Sequence, residues 1–476
     1  MRSQLLWVLF MFIVITVGDC KVDNGEACHP NDLQGLTSFK AGIRSDPSNR
    51  LKNWTGINCC NWEGISCDNA TRRVAELYLP GFYTWNDASF QTSIDGLLSP
   101  SITLLTSLEV LDLGGLSISP DRFLHLSVQA SQSSESSLCL ATNSMVHYQK
   151  AWALEELDLS YNSLSGKIPP SITKLGSISV IDFDTNNLEG EIPFPSSSGQ
   201  MSSLRFLILD SNRLTGGIPS TFGYLTSLET VSLANNRLQG PIPSSLAGLQ
   251  SVRDISQWQQ LVWSYTPIDS ISQNMIQGPL PHEMASLQNL KTLDLSFNLL
   301  NLSSIPKWFV GLPSLSQIYL AGCGILGDIP DYLKTTGSLI ELDLSANHLT
   351  GTIPAWIGSP TQLYLLNLSV NSLISEIPAT ITNRTLGVLD LHSNKLTGTI
   401  NQIGIGGYLG IKYLNLSHNL LTGRLPPSVG KLEFMQSLDL SYNKLGSDLP
   451  VSLANISFLE RLKLQKNRFT GEIPGE

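Results

Sequence analysis

A single pattern, LxxLxLxxNxLxGxIP, recurs along most of the chain and restricts the folds open to it more than any other feature. Clear copies are LEELDLSYNSLSGKIPP from residue 154 and LIELDLSANHLTGTIPA from residue 339. The asparagine position is occupied by Asn162, Asn186, Asn212, Asn236, Asn274, Asn298, Cys323, Asn347, Asn371, Asn394, Asn419, Asn443 and Asn467. Most steps are 23 to 26 residues, and with two weaker copies near residues 74 and 108 we count 15 repeats.

This period and pattern are the signature of the leucine-rich repeat, which predicts an α/β solenoid. The LxL alternation makes a short strand whose leucines enter the core while the residues between them face solvent. Asparagine at the turn can bond backbone groups through both ends of its amide, and Cys323 is an accepted substitute there. Because no repeat buries its apolar side alone, stacking predicts one continuous core and a parallel sheet on the concave face.

The N-terminus predicts a secreted protein. Arg2 precedes an apolar run from Leu5 to Val17, which is short for a membrane span and typical of a signal peptide, although an uncleaved anchor is the alternative. We therefore assign residues 1–27 to a signal peptide and short leader. Seven sequons fit a secretory route: Asn53, Asn69, Asn301, Asn367, Asn383, Asn415 and Asn455. The formal net charge of −10 argues against general nucleic-acid binding.

Two insertions break the period. One near residues 127–150 and one near 252–270 lengthen two steps to 46 and 38 residues. The first is Ser-rich and predicts a surface loop. The second contains Trp258, Trp263 and Tyr265, which form either a binding knob or the outward loop of a degenerate repeat.

Residues 28–73 precede the repeats and predict a cap over the apolar end that a solenoid otherwise exposes. A helix is expected to start at Asn31 or Asp32, either of which can act as its N-cap. Trp54 and Trp62 add bulk to the same cover. One stripe of the helix is apolar at helical spacing: Leu33, Leu36, Phe39 and Ile43.

The cap holds four cysteines, three of them in the stretch NCCNWEGISC. Cys59 and Cys60 are adjacent, so a bond between them would strain the geometry that a disulfide needs. In an oxidising compartment we expect Cys28 to pair with Cys59 and Cys60 with Cys67. A zinc site formed by these residues and the neighbouring histidine is the alternative, but the spacing lacks paired CxxC knuckles.

The cap sequence, from CHPNDLQGLTSFKAGI to NCCNWEGISCD, together with the LxGxIP repeat resembles plant extracellular leucine-rich-repeat proteins. These include receptor-like proteins, receptor kinase ectodomains and polygalacturonase-inhibiting proteins. The resemblance covers almost everything after the signal peptide. It implies a right-handed plant-type superhelix, a disulfide-bonded N-terminal cap, N-glycosylation and recognition at the cell surface or wall. The repeats of 74–476 stop mid-repeat, which favours a truncated ectodomain or a further segment that covers this end.

Partner binding is expected on the concave face between Asn69 and Asn301, where the sequence has no sequon. We call the residues exposed there the acidic–aromatic surface: Glu155, Glu156, Asp158, Tyr161, Asp182, Asp184, Arg205, Phe206, Asp210, Glu229 and Phe297. Aromatic and arginine side chains anchor many interfaces. The aspartates recur with the repeat consensus and converge in no pocket, so they do not predict a two-carboxylate glycosidase.

Asn367 and Asn415 stand between two strand leucines, so their side chains are expected to point out of the concave face. Glycans there would shield an aromatic and basic patch that we call the C-terminal patch: Tyr364, His392, Lys412, Tyr413 and His418. Its two histidines are interpreted as ordinary solvated side chains, with sensing of wall pH as the alternative.

The sequence and the resemblance together predict an extracellular recognition module, a receptor-like protein in plant signalling or defence. Its partner would be a peptide or protein ligand, or a receptor-kinase co-receptor, bound on the concave face. The alternative is a secreted inhibitor of microbial polygalacturonase, whose basic surface the acidic face would attract. The sequence has no Ser/His/Asp constellation, phosphate loop or metal-ligand cluster, so we predict neither an enzyme nor a cofactor.

Overall fold

The fold was analysed in a computed structural model of the chain. The structure describes residues 27–81, 83–84, 89–90, 94–119, 153–193, 195, 197–256, 274–336, 339–358, 362–381, 385–402 and 410–473. The predicted signal peptide, the insertion near 127–150, most of the insertion near 252–270 and the sequon at Asn383 lie outside these residues.

One sheet of 16 strands forms the concave face. Its first two strands are antiparallel and all later neighbours are parallel. Neighbours pair in register, so the same position of successive repeats forms a column across the sheet. The strands are Ile65–Cys67, Val74–Tyr78, Val110–Asp112, Glu156–Asp158, Val180–Asp182, Phe206–Ile208, Thr230–Ser232, Asp254–Ser256, Thr292–Asp294, Gln317–Tyr319, Glu341–Asp343, Leu365–Asn367, Val388–Asp390, Tyr413–Asn415, Ser437–Asp439 and Arg461–Lys463.

A second set of short strands follows the turn of most repeats and forms small separate sheets. They are Ile43–Ser45 with Asp95–Leu97 and Ser117–Ser119; Ser165–Lys167 with Asn187–Gly190 and Arg213–Leu214; Gln239–Gly240 with Met275–Ile276; Leu326–Gly327 with His348–Leu349; Ile374–Glu376 with Lys395–Thr397; Thr422–Gly423 with Lys444–Asp448 and Arg468–Thr470; and the hairpin Tyr83–Thr84 with Ser89–Phe90.

Short 3-10 helices complete the repeats, and most begin directly after a proline, whose fixed φ suits a helix start and whose missing N–H leaves no donor unsatisfied there. They are Pro100–Leu104, Pro170–Lys174, Ser220–Tyr224, Ser244–Gly248, His282–Ser286, Lys307–Gly311, Asp331–Thr335, Ala355–Gly358, Ala379–Ile381, Pro427–Lys431 and Val451–Asn455, with Cys59–Asn61 in the cap. Within the described ranges, no helix combines the length and apolar character that crossing a bilayer requires.

The expected asparagine ladder connects the repeats. The Asn186 side chain accepts the Leu164 N–H through Oδ1 at 2.8 Å and donates from Nδ2 to the Leu159 carbonyl of the preceding repeat at 2.9 Å. Asn212 and Asn347 make the equivalent bonds. Each amide therefore satisfies buried backbone groups that the turn would otherwise leave unpaired.

The cap covers the first repeats as predicted. Its helix spans Pro30–Gly42, with Leu36 and Phe39 fully buried in the same core as the repeat leucines. The Trp54 ring lies 6.0 Å from that of Phe39 and 5.2 Å from that of Trp62, centroid to centroid. These aromatic rings supply the apolar cover that a solenoid terminus requires.

The predicted helix start was wrong. The helix begins at Pro30, and the His29 Nδ1 atom accepts the Asn31 N–H at 3.3 Å. Asp32 is instead fully buried in an ion pair, with Oδ1 and Oδ2 at 2.7 and 2.8 Å from two nitrogens of Arg73. Its Oδ2 also accepts the Val74 N–H at 2.9 Å. The carboxylate therefore fastens the helix to the first parallel strand, because a bidentate guanidinium is a stronger partner than a helix terminus.

The disulfides are those expected, Cys28–Cys59 and Cys60–Cys67. The sulfurs of Cys59, Cys60 and Cys67 lie within 4.8 Å of one another, close enough to share a metal ion. Both bonds hold these sulfurs in oxidised form, and zinc is bound by thiolates. The cysteines therefore act as a clamp on the cap.

Candidate functional site: the concave face

The last residue of each parallel concave strand lies in one column, which we call the strand-end column. We expected its side chains to be exposed, and this was wrong for much of its length: Ser232 and Asn415 are each 1% exposed, and Asp112 and Asp439 are each 7% exposed. The physical reason is spacing, since adjacent strands lie only about 4.8 Å apart and the concave side crowds the side chains of each column.

The aspartates of this column turn back onto their own backbone. The Oδ1 atoms of Asp158, Asp182 and Asp343 each accept the N–H two residues further on, at 2.8 to 2.9 Å. This is an Asx turn, a local bond that short carboxylates and amides make readily. The recurrence of aspartate in the column therefore has a structural cause in these repeats.

At the N-terminal end, Asp112, Asp158 and Asp182 stand opposite one another on successive strands. We call these three the acidic triplet. Burial, and then the Asp158 and Glu156 carboxylates, raise the pKa of Asp112 to about 6. Burial and the Asp158 charge raise the pKa of Asp182 to about 8. The Arg50 charge lowers the pKa of Asp112 but does not outweigh burial and the neighbouring carboxylates.

At the C-terminal end, the same column reads Asp390, Asn415, Asp439 and Lys463 on successive strands. We call the first three the alternating triplet. The Asn415 Nδ2 atom donates to Asp390 Oδ2 at 3.2 Å, and the Lys463 ammonium lies 3.2 Å from Asp439 Oδ2. Burial lowers the pKa of His392, but its contact with Asp390 at 2.7 Å outweighs this and leaves that pKa raised.

Two side chains of this region point differently from our expectation. Asn367 and Asn415 were expected to project into solvent, but Asn415 is buried and Asn367 is half-buried. The Asn367 Nδ2 atom donates to Asp343 Oδ2 at 2.9 Å. Each amide lies toward the carboxylate of the preceding repeat, which attracts its N–H and draws the side chain down onto the sheet.

Most of the acidic–aromatic surface is brought together. Ten of its eleven residues lie on the four successive repeats whose concave strands run from Glu156–Asp158 to Thr230–Ser232. Glu155 is exposed and Tyr161 is 40% exposed. The Arg205 guanidinium pairs with Glu229 at 2.7 Å and lies 5.2 Å over the Phe206 ring.

Two members of that surface behave differently. Asp210 is 6% exposed, its Oδ2 accepts the Ser232 hydroxyl, and burial raises its pKa to about 7. It therefore offers little to a partner. Phe297 lies beyond the strand Asp254–Ser256, apart from the rest, and its ring covers Gly322, whose positive φ and missing Cβ allow this packing.

The acidic surface extends toward the cap, beyond the residues that were predicted from the sequence. Glu76, Tyr78 and Glu109 are exposed on the two preceding repeats, with Tyr78 at 52%, and Asp112 lies beside them. Continuing the same columns back by two repeats would have found them. The weaker pattern of these repeats concealed the register.

The concave sheet, the ladder of amides and the capped end define a leucine-rich-repeat solenoid. The family model described as leucine rich repeat N-terminal domain matches residues 29–68. Leucine-rich-repeat models match residues 202–256, 270–325, 153–175, 338–360, 410–432 and 434–456. The chain belongs to the leucine-rich-repeat proteins.

Individual relatives agree with this assignment. The chain is 30% identical to the leucine-rich repeat receptor-like protein kinase PXC2 of Arabidopsis thaliana over 39% of its own length and 13% of that protein. It is 28% identical to receptor-like protein 41 of the same plant, over 40% of the chain and 23% of that protein. The chain thus spans less than a quarter of either relative.

A solved structure covers more of the chain. The ectodomain of the Arabidopsis receptor kinase HAESA, in complex with an IDA peptide hormone, is 29% identical with a TM-score of 0.70. The likeness covers 93% of this chain and 66% of that ectodomain.

Proposed function

We propose that this chain is the recognition part of a plant receptor or receptor-like protein and binds a peptide or protein ligand on its concave face at the cell wall or plasma membrane. The observation that carries the proposal is the unbroken 16-stranded concave sheet. The HAESA ectodomain, which has the same fold over 93% of this chain, is in complex with a peptide hormone, and a further HAESA structure includes the co-receptor SERK1.

Contact is proposed to centre on the acidic–aromatic surface and its extension toward the cap. Glu76, Glu109 and Glu155 are exposed there, and Tyr78 presents half of its side chain to solvent. Exposed carboxylates of one sign speed the approach of a cationic partner, and aromatic side chains provide apolar anchoring area. A ligand with basic and apolar side chains fits this combination, and the function we infer is binding without catalysis.

The test is binding of the immobilised protein to a panel of synthetic secreted plant peptides that includes IDA, with and without a SERK1 ectodomain. The variant Glu155→Lys/Glu156→Lys reverses charge on the concave face. We expect binding of the peptide that the wild type selects to weaken roughly tenfold or more, mainly through the association rate.

The matched control is Glu189→Lys/Glu191→Lys. It makes the same charge change at two exposed carboxylates on and just after the strand Asn187–Gly190, outside the concave sheet. Equal loss in both variants, or unchanged binding in the concave variant, would contradict the proposed contact surface.

The inhibitor alternative has its own assay. Purified protein is incubated with fungal polygalacturonase, and the release of reducing ends is measured. Under the receptor proposal the enzyme keeps its full rate. Stoichiometric inhibition together with a failure to bind every peptide would replace the proposal by the alternative.

A further inference from the structure

Two sequons, Asn367-Leu368-Ser369 and Asn415-Leu416-Ser417, lie at the strand-end column. Other repeats have Asp-Leu-Ser at the same place: Asp158 to Ser160, Asp294 to Ser296, Asp343 to Ser345 and Asp439 to Ser441. An asparagine at this position of the repeat creates the sequon Asn-x-Ser without any change in the turn. A glycan acceptor needs a solvent-facing side-chain nitrogen, whereas a turn residue uses its side chain in local hydrogen bonds.

Their contacts are those of the aspartates. Asn415 Oδ1 accepts the N–H of Ser417 at 3.1 Å and its hydroxyl at 2.8 Å. Asp439 Oδ1 accepts the same two groups of Ser441 at 3.0 and 2.6 Å. The Asn367 side chain repeats the pattern with both groups of the serine two residues on. The N–H and the hydroxyl of each sequon serine are thereby both hydrogen-bonded within the turn.

The side-chain nitrogen of Asn415, to which a glycan would be attached, is also hydrogen-bonded. Asn415 Nδ2 donates to Asp390 Oδ2 at 3.2 Å and lies 3.4 Å from the Tyr413 hydroxyl. With 1% of its surface exposed, Asn415 leaves no path from that nitrogen to solvent. A glycan there would break the bond to Asp390 and force the strand-end column apart, because its closest neighbours lie on the two adjoining strands.

The other described sequons differ in place and in exposure. Asn53 and Asn69 lie in the cap, and Asn301 and Asn455 lie outside the concave strands. All four asparagines are exposed. A glycan on any of them extends into solvent without displacing a strand.

We propose that, among the six sequons that the structure describes, glycosylation of the folded, secreted protein is confined to these four exposed sites, and that Asn367 and Asn415 are unmodified turn residues, so the concave strands carry no sugar.

A consequence, which rests on the proposed function, concerns the C-terminal patch. Glycans at Asn367 and Asn415 were the reason to discount it as a contact surface. Without them, Tyr364 is 40% exposed, Lys412 is exposed, and His418 is exposed and stacked on Tyr442 with ring centroids 4.0 Å apart. This second surface is therefore open to a protein partner at the opposite end of the face from the acidic one.

The experiment maps glycan occupancy on the monomeric protein secreted from plant cells. Glycans are released with peptide-N-glycosidase A in water enriched in oxygen-18, and tryptic peptides are analysed by mass spectrometry. We expect labelled aspartate at the exposed sequons and unlabelled asparagine at 367 and 415. Label at either concave position, at an occupancy similar to the exposed sites, would overturn the proposal.

Two serine variants provide a second readout that needs no ligand. Ser417→Ala destroys the concave sequon, and alanine is tolerated because Ala234 and Ala321 occupy the equivalent position in other repeats. Ser457→Ala destroys the exposed sequon at Asn455. We expect only the second variant to migrate faster on a denaturing gel, by one glycan. A faster-migrating Ser417→Ala protein would contradict the inference while leaving the receptor proposal intact.

Discussion

The acidic triplet and the alternating triplet occupy the same column of one sheet, yet their side chains are neutralised differently. In the acidic triplet, three carboxylates follow one another across neighbouring strands. In the alternating triplet, the Asn415 amide separates Asp390 from Asp439, and Lys463 continues the series. The turn geometry is the same in both, since each side chain accepts the N–H two residues on.

The difference shows that the repeat consensus determines the backbone while the neighbouring repeat determines the electrostatics. A buried carboxylate beside another carboxylate is costly to ionise, and one that accepts an amide N–H is less so. Burial still matters on its own account: the pKa of Asp343 is raised by burial although Asn367 donates to it. The carboxyls of the acidic triplet are thus costly to ionise, and Asp182, with a pKa of about 8, is mainly protonated at neutral pH.

The largest loss in stability is expected for Asn415→Asp, which converts the alternating triplet into three carboxylates. The new carboxylate cannot donate the hydrogen bond that Asn415 makes to Asp390. It also places a charge at a position that is only 1% exposed. We expect a loss of about 2 to 4 kcal/mol in the free energy of unfolding, measured by chemical denaturation at pH 8.

The pH dependence of this variant separates charge from packing. The carboxyl introduced at position 415 is buried between two other carboxylates, which raises its pKa, so it takes up a proton in acid and the deficit should shrink markedly at pH 4.5. A deficit of the same size at both pH values would mean that the loss is steric and would contradict the electrostatic account of the alternation.

The reverse change, Asp182→Asn, places an amide within the acidic triplet. Its Oδ1 atom can still accept the Asp184 N–H, and its Nδ2 atom faces the Asp158 carboxylate. Because the pKa of Asp182 is raised to about 8, its ionisation costs stability at high pH. We expect the Tm to rise by about 2 °C at pH 8.5 and to stay unchanged at pH 3.5, below the unfolded-state pKa of an aspartate, as measured by scanning fluorimetry.

The wild-type protein should show the same contrast without mutation. The protonated forms of Asp112 and Asp182 stabilise the fold, and this stabilisation is fully present below about pH 4. It is lost as the pH rises through about 6 for Asp112 and about 8 for Asp182, the raised pKa values of these groups. We expect amide protection of Glu156–Asp158 and Val180–Asp182 to fall between pH 5 and pH 8.5, after correction for intrinsic exchange.

The alternating triplet should lose less protection over that range, because Asn415 does not titrate and the raised pKa of His392 contributes only through its pair with Asp390. Hydrogen-exchange mass spectrometry measures both ends in one sample. Equal losses at the two ends would remove the electrostatic distinction between them.

The smallest effect is expected for Lys463→Gln, at the end of the alternating series. The Lys463 side chain is 41% exposed, so its ion pair with Asp439 is largely screened by solvent. We expect a loss of about 0.5 kcal/mol or less, which denaturation at low and high salt would show to be salt-sensitive.

The repeating features of the fold were predictable because they depend on spacing within one repeat. The period alone predicts the concave strands, the burial of the strand leucines and the double role of asparagines such as Asn186. The adjacency of Cys59 and Cys60 argued against a bond between them, and the pairs expected from the sequence, Cys28–Cys59 and Cys60–Cys67, were confirmed. These features depend on residues that are close to one another in the sequence.

The features that the sequence did not predict depend on contacts between repeats. Asp32 bonds Arg73 across 41 positions, which no helix-capping rule anticipates. The direction of the Asn415 amide depends on the aspartate of the preceding repeat, and this becomes visible only when the repeats are aligned in register. Exposure on a concave sheet likewise depends on the side chains of the adjoining columns.

Cys323 has a consequence for cooperativity. Its thiol lies 3.2 Å from the Leu295 carbonyl, and burial raises its pKa to about 12, so it stays a neutral donor. It has no amide oxygen like those of Asn298 and Asn347, which accept N–H groups of the preceding repeat. In a solenoid whose stability is a sum of neighbour interfaces, the weakest interface divides the unfolding units. The interface between the Cys323 repeat and the preceding repeat lacks this hydrogen bond, so we expect it to be a preferred boundary between unfolding units.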